Sequence, residues 1–172
     1  MRRRVPLWLG VILLLGAGVS SLPAGEAANE EMEKLRPFVG VWKTDSVFPD
    51  NGLRVGGELE YRYVLGGHWL LVRFVGAHPD RSFWEAVAMI RYDGEKDAYV
   101  SFDFFAAADP VRMTGRWISD ATVRFLTEES GRTWGIDYTI REDGTVYQEN
   151  WVVPAGGAKK VTLETTYSRC GG

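Results

Sequence analysis

The chain has almost no cysteine. Cys170, close to the C-terminal end, is the only one in 172 residues, so an intrachain disulfide or a cysteine-built zinc cluster is excluded. Histidine is nearly as scarce: His68 and His78 are the two present; His68 has no second histidine or carboxylate at ligand spacing, and His78, in Ala77-His78-Pro79-Asp80, reads as a loop residue. No cationic excess exists either. Lys and Arg number 20 against 23 Asp and Glu, a net charge of −3, so no basic surface advertises nucleic acid or anionic lipid. The sequence also lacks a serine nucleophile elbow, an HExxH pair, a phosphate-binding loop and a close carboxylate pair in a recognisable register. It calls for no metal, no cofactor and no nucleic-acid partner, and it gives catalysis no positive support.

What is present is apolar and aromatic. The composition is 45% hydrophobic and 13% aromatic, which argues against disorder, and the length suits one domain with a sizeable core. The first residues stand apart. Arg2, Arg3 and Arg4 are followed by the apolar run Leu7 to Leu15 and then by small residues through Ala27 and Ala28, the pattern of a secretory signal. The expected boundaries are therefore a signal peptide over 1–27 and one domain over 28–172, with cleavage after Ala27 or, second, after Ala24. A periplasmic or secreted protein follows, without stable membrane insertion once the signal is removed. The alternative keeps Val5 to Leu22 as an uncleaved anchor facing outward, since its length approaches that of a membrane helix.

Beyond the signal, Asn29 to Arg36 reads as a short helix capped by Asn29 and ended by Pro37. Then valine, threonine and aromatic residues take over, and turn residues recur about every ten positions. The pattern predicts about ten strands, near 38–47, 56–65, 68–77, 82–92, 97–106, 111–118, 121–128, 132–141, 145–153 and 159–169. Gly66-Gly67, Asp93-Gly94, Ser119-Asp120, Ser130-Gly131 and Asp143-Gly144 supply tight turns between them. Consecutive hairpins make a meander, and a meander of this many strands removes its exposed edges by closing. The expectation is an all-β, antiparallel up-and-down barrel of about eight to ten strands with a short N-terminal helix. The connection from Phe48 to Val55, with Pro49-Asp50-Asn51-Gly52 at its centre, is expected to be a mobile loop at one rim.

Gly40-Val41-Trp42 on the first strand and Tyr167-Ser168-Arg169 on the last resemble the calycin superfamily of lipocalin-like barrels. The resemblance implies that Trp42 packs near the closed end and that Arg169 lies across it, with Gly40 allowing the chain to bend there. The ordered stretches "YVLGGHWLLVRF", "AMIRYDGEKDAYVSFDFF" and "MTGRW" are similar to an uncharacterised bacterial family within that superfamily, domain of unknown function 1579, over about residues 35–170. The resemblance implies a fold and no reaction. Lipocalin-like relatives bind small hydrophobic molecules. Nitrobindin-like barrels hold haem through a late-strand histidine, which this chain lacks.

Alternation assigns faces. Leu59, Tyr61 and Tyr63 should point inward, as should Leu163, Thr165 and Tyr167, with Arg169 on the same side. Asp137, opposite Ile136, Tyr138 and Ile140, should be a solvated outer residue. Asp103 sits between Phe102 and Phe104 and is expected outside, an inward Asp103 being the alternative. In the segment Val146 to Val153, either the face of Tyr147, Glu149 and Trp151 is inner, making Glu149 a buried ligand anchor, or Gln148 and Asn150 line the interior with amides. His68 follows a diglycine turn and is expected to be a hydrogen-bonded turn residue. Three functions stay open. The first is a barrel holding a small apolar or amphipathic ligand, with Tyr61, Tyr63, Trp117 and Glu149 as candidate ligand-binding residues and a pocket near or above the ~300 Å³ lower bound usual for such sites, a filled interior favouring the packed module instead. The second is a packed structural or interaction module. The third is an enzyme of the isomerase or cyclase kind using Glu149, Asp103 or His68.

Overall fold

The computed structural model of the protein describes residues 30–77, 83–106 and 108–170. The segment read as a signal peptide, the expected cap Asn29, and His78 lie outside the described residues. The structure is a closed barrel of ten antiparallel strands: β1 (Gly40–Phe48), β2 (Leu53–Val64), β3 (Trp69–Ala77), β4 (Phe83–Asp93), β5 (Ala98–Phe105), β6 (Ala108–Trp117), β7 (Thr122–Glu129), β8 (Arg132–Ile140), β9 (Val146–Val153) and β10 (Lys160–Arg169). Each strand pairs with the next, and β1 pairs with β10 to close the ring. The meander read from the turn residues is thus the topology found.

Period-2 burial explains why these segments are strands. In β1, Trp42, Thr44 and Ser46 are buried while Val41, Lys43 and Asp45 are exposed, so one face supplies the core and the other meets water. At the rim the start of β2 differs from expectation. β2 begins at Leu53, because Leu53, Arg54 and Val55 continue the ladder opposite Phe48, Val47 and Ser46. The expected long loop is therefore the tight turn Pro49 to Gly52, held by Gly52 N–H donating to the Phe48 carbonyl at 2.8 Å and Leu53 N–H donating to Asn51 Oδ1 at 2.9 Å.

The other end is closed by the N-terminal segment, one helical turn followed by a 3-10 turn, Arg36–Phe38. Pro37 sits inside that second turn rather than ending the helix, since a first-turn position needs no N–H. Met32, Leu35 and Phe38 are buried beneath it. Barrel side chains bond the carbonyls of this short segment, two of which also accept turn N–H groups, Leu35 N–H to Met32 O at 3.0 Å and Lys34 N–H to Glu31 O at 3.2 Å. Tyr63 donates to Met32 O at 2.5 Å, Tyr99 to Glu31 O at 2.7 Å and Trp42 Nε1 to Phe38 O at 2.7 Å. Arg169 donates to Val39 O at 2.8 Å and Pro37 O at 2.9 Å.

Arg169 also lies over the Trp42 ring, 4.2 Å from its centroid, and the two residues face each other in the closing ladder. Gly40 makes room for this. Its φ is +133°, and a Cβ there would sit 2.6 Å from the Arg169 guanidinium, so both backbone and space require glycine.

The ring is unevenly sealed. β7 pairs with β8 along its whole length, but β6 meets β7 only from Thr114 to Trp117. β6 starts at Ala108, earlier than expected, and carries Pro110, which has no N–H for a ladder. Toward the rim, the two strands stand apart. No helix among the described residues is long and apolar enough to cross a membrane.

Candidate functional site

The inner face changes character along the barrel axis. Near the closed end it carries Phe38, Trp42, Leu70, Tyr99, Met113, Val123 and Phe125, all buried in one cluster. Toward the rim the inner positions hold small residues: Thr44 and Ser46 on β1, Ala86 and Ala88 on β4, Thr165 on β10. Side chains this short leave space across the barrel. A cavity of about 160 Å³ results, walled also by Leu59, Tyr61, Val72, Phe74, Ile136, Tyr138, Leu163 and Tyr167. It is about half the size expected for a lipocalin-type pocket. A cavity of roughly 150 Å³ holds one benzene ring, so the space suits a ring-sized molecule and excludes a folded fatty acid.

Its polar groups form two sets. The first is a relay. Tyr167 donates to Gln148 Oε1, and Gln148 Nε2 donates to Asn150 Oδ1. The Tyr61 hydroxyl neighbours that of Tyr167, whose one proton is directed at Gln148. Ser46 and Thr165 hydroxyls pair across β1 and β10 at 2.9 Å. The second set has spare capacity. Asp103 accepts from Ser101 on one carboxyl oxygen, and the other has no partner among the described residues. The Tyr138 hydroxyl makes no hydrogen bond there, and Thr44 Oγ1 is fully buried without one.

Electrostatics follow from enclosure. Burial pushes the Asp103 carboxyl above the ordinary carboxylate range, with the Ser101 hydrogen bond working the other way. Burial likewise raises the Tyr61, Tyr138 and Tyr167 hydroxyls far above the ordinary phenol value, and the Asp103 charge adds to the rise at Tyr61 and Tyr138. An isolated carboxyl in such surroundings favours its neutral form. Its charge acts on both tyrosines, so the three groups share one neighbourhood.

The structure separates the four candidate ligand-binding residues. Tyr61 lines the cavity. Tyr63 and Trp117 point inward but belong to the closed end, where Tyr63 holds Met32 O and Trp117 Nε1 donates to the Tyr99 hydroxyl at 3.1 Å. Glu149 is on the outer face, ion-paired with Lys159 at 2.5 Å. The alternative holds there, with Gln148 and Asn150 inside. Trp151 is what makes the outer face of β9 look like an inner one. It is buried outside the barrel because it lies across Gly135 of β8, whose added Cβ would meet the indole at 2.2 Å, beneath Arg124 and Lys159. Asp137 is on that same outer face, as read, but buried rather than solvated, because Trp151, Arg124 and Lys159 gather over it. Burial works against its charge, but the two Arg124 hydrogen bonds and the Arg124 and Lys159 charges hold its carboxyl below the usual range. His68 is an exposed residue of the closed-end turn.

Asp103 faces inward, against expectation. Its neighbours Phe102 and Phe104 carry the aromatic weight of β5, yet Phe102 packs on Trp69 outside the barrel and Phe104 is exposed. Tyr138 was missed, although the alternation of Ile136, Tyr138 and Ile140 already placed it on the inner face. Thr44 carried no signal beyond its spacing from Trp42. Among the described residues, no three His, Cys, Asp or Glu side chains are grouped to hold a metal ion.

No family model matches the chain, and no curated protein matches it. Solved structures similar to it include a de novo designed fluorescence-activating β-barrel, with 17% identity, 78% of this chain and 94% of that one covered, and a TM-score of 0.43. A redesigned β-barrel bound to DFHBI shares 12% identity over 77% of this chain and 99% of that one, with a TM-score of 0.40.

Proposed function

We propose that this chain is an exported binding barrel that holds one small, mainly apolar molecule, about a single ring in size, with its polar end against Asp103 and Tyr138. The observation that carries this reading is the unused hydrogen-bonding capacity of three inward groups around one cavity. Thr44 Oγ1 is buried without a partner, the Tyr138 hydroxyl is unbonded, and Asp103 uses one oxygen. Buried polar groups are nearly always satisfied. A ligand with complementary groups, between walls of Phe74, Val72, Ile136 and Leu163, would satisfy these. The calycin resemblance points the same way, and domain of unknown function 1579 remains the expected family.

Native mass spectrometry of the protein purified from its own host tests the reading. A retained mass of a few hundred daltons at most, lost on unfolding, supports it; apoprotein alone, together with no uptake of small aromatic probes, contradicts it. Export rests on the basic, apolar and small-residue pattern of residues 1–27. N-terminal sequencing of the exported protein should begin at Ala28, or at Gly25 by the second choice, whereas Arg2 intact in a membrane pellet would favour the anchor.

The packed module is the second reading, favoured by the solid closed end and the modest cavity. An enzyme finds less support, since Glu149 and His68 lie away from the cavity and Asp103 is left as the one acid or base inside.

A further inference from the structure

We propose that the cavity recognises a small primary amine in its ammonium form, with Asp103 as the counter-ion. This rests on the binding reading above and names its ligand class. Asp103 is the one charged side chain among the cavity's walls. Among the described residues no Lys, Arg or His pairs with it, whereas outer-face carboxylates such as Asp45, Glu85, Asp93, Asp137 and Glu149 each have a cation within 4 Å. The chain therefore has cations to spare for its surface and leaves its one inner carboxyl without any.

An ammonium group brings three donors and no acceptor, and the cavity matches that count. The free Asp103 oxygen accepts one. The unbonded Tyr138 oxygen accepts a second. Tyr167 directs its proton to Gln148 and not to Tyr61, which leaves the lone pairs of the Tyr61 oxygen, on the same cavity wall, for a third. The apolar wall of Val72, Phe74, Ile136 and Leu163 accommodates the hydrocarbon part. A neutral carbonyl compound has no donor to offer Asp103 and uses this set less fully.

The groups facing Asp103 fix the pH dependence. Tyr61 of β2, Tyr138 of β8 and Tyr167 of β10 all stay neutral to high pH, Ser101 is its own-strand partner, and the flanking residues Ala88 of β4 and Val111 of β6 do not titrate. In the empty barrel burial favours the protonated carboxyl. Binding a cation requires it ionised, so affinity should rise with pH through the Asp103 titration, until the amine itself loses its proton.

Calorimetric titration of the purified protein with benzylamine, benzyl alcohol and toluene tests the proposal, repeated with Asp103→Asn and Tyr138→Phe. Benzylamine should bind at least about tenfold more tightly than the other two near neutral pH, lose that advantage in Asp103→Asn, weaken in Tyr138→Phe, and weaken in acid. Thermal unfolding of each variant shows that it is folded. Equal binding of all three probes, unchanged by Asp103→Asn, would overturn the amine proposal and leave the binding barrel standing. Preference for the alcohol, stronger in acid, would also overturn it, making Asp103 a hydrogen-bond donor. Binding of none of the three would remove the binding reading as well.

Discussion

The two ends of the barrel are built from the same residue types and put them to opposite use. At the closed end, tyrosine and tryptophan polar atoms are paired with carbonyls of the N-terminal segment or with one another, and rings fill the volume between. Toward the rim, tyrosine hydroxyls, a carboxyl and a threonine hydroxyl surround open space, and part of their capacity is unused. The first arrangement spends polar groups on rigidity. The second keeps them for something that is not part of the chain. Stability should therefore reside at the closed end, and the cavity should tolerate, or gain from, removal of its polar groups.

The largest effect should come from the closing pair. Trp42→Ala removes a buried ring and should cost roughly 3–5 kcal/mol in urea unfolding. Arg169→Ala should cost roughly 1–2 kcal/mol, toward the lower end because the residue is exposed. The double variant should lose less than the sum, since each single change already breaks the stack. Strictly additive losses would mean that the contact contributes nothing.

Asp103→Asn should act in the other direction. The folded carboxyl titrates above its unfolded value, so its contribution to stability is complete below the ordinary carboxylate pKa of about 4 and is lost as pH rises through the raised value. The variant should thus match the wild type in acid and be more stable at neutral pH, by something on the order of 1 kcal/mol, or about 2–4 °C in Tm for a chain of this length. Asp137 has the opposite sign: its lowered carboxyl supports stability at neutral pH and withdraws that support as pH falls through the lowered value. A wild type that outlasts Asp103→Asn at neutral pH would show that Asp103 has a favourable partner in the folded barrel.

One substitution made at each end sharpens the contrast. Tyr99→Phe should cost about 1 kcal/mol, because it strands the Trp117 indole N–H and removes one of the two donors to the Glu31 carbonyl. Tyr138→Phe loses no hydrogen bond and should be within about 0.5 kcal/mol of the wild type. Equal costs would erase the distinction. The smallest expected difference concerns the seam: by hydrogen exchange, edge amides of β6 between Asp109 and Met113 that face β7 should be less protected than those from Thr114 to Trp117, where the ladder is formed.

The architecture was legible because a closed meander needs only alternation and tight turns, and Trp42, Leu59, Tyr61 and Tyr167 declared their face by period alone. The site was less legible because its informative residues sit among misleading neighbours. Trp151 made the outer face of β9 look like a core face, since a glycine on β8 lets an outer ring lie flat. Phe102 and Phe104 did the same for β5 and hid Asp103. Which inner positions are filled and which are hollow depends on how ten strands stack along the axis, and that is a property of cross-strand register. Tyr61 and Tyr63 have the same alternation and two different fates for this reason.

The central claim is that the rim half of the barrel is a ligand space and the closed half is packed solid. Methyl NMR of the purified protein titrated with benzyl alcohol tests it most directly. Shift changes confined to Val72, Ile136 and Leu163, with Leu70, Val123 and Val146 unmoved, are the predicted result. Saturating alcohol that leaves the first three methyls where they were, or that moves both groups alike, would contradict it.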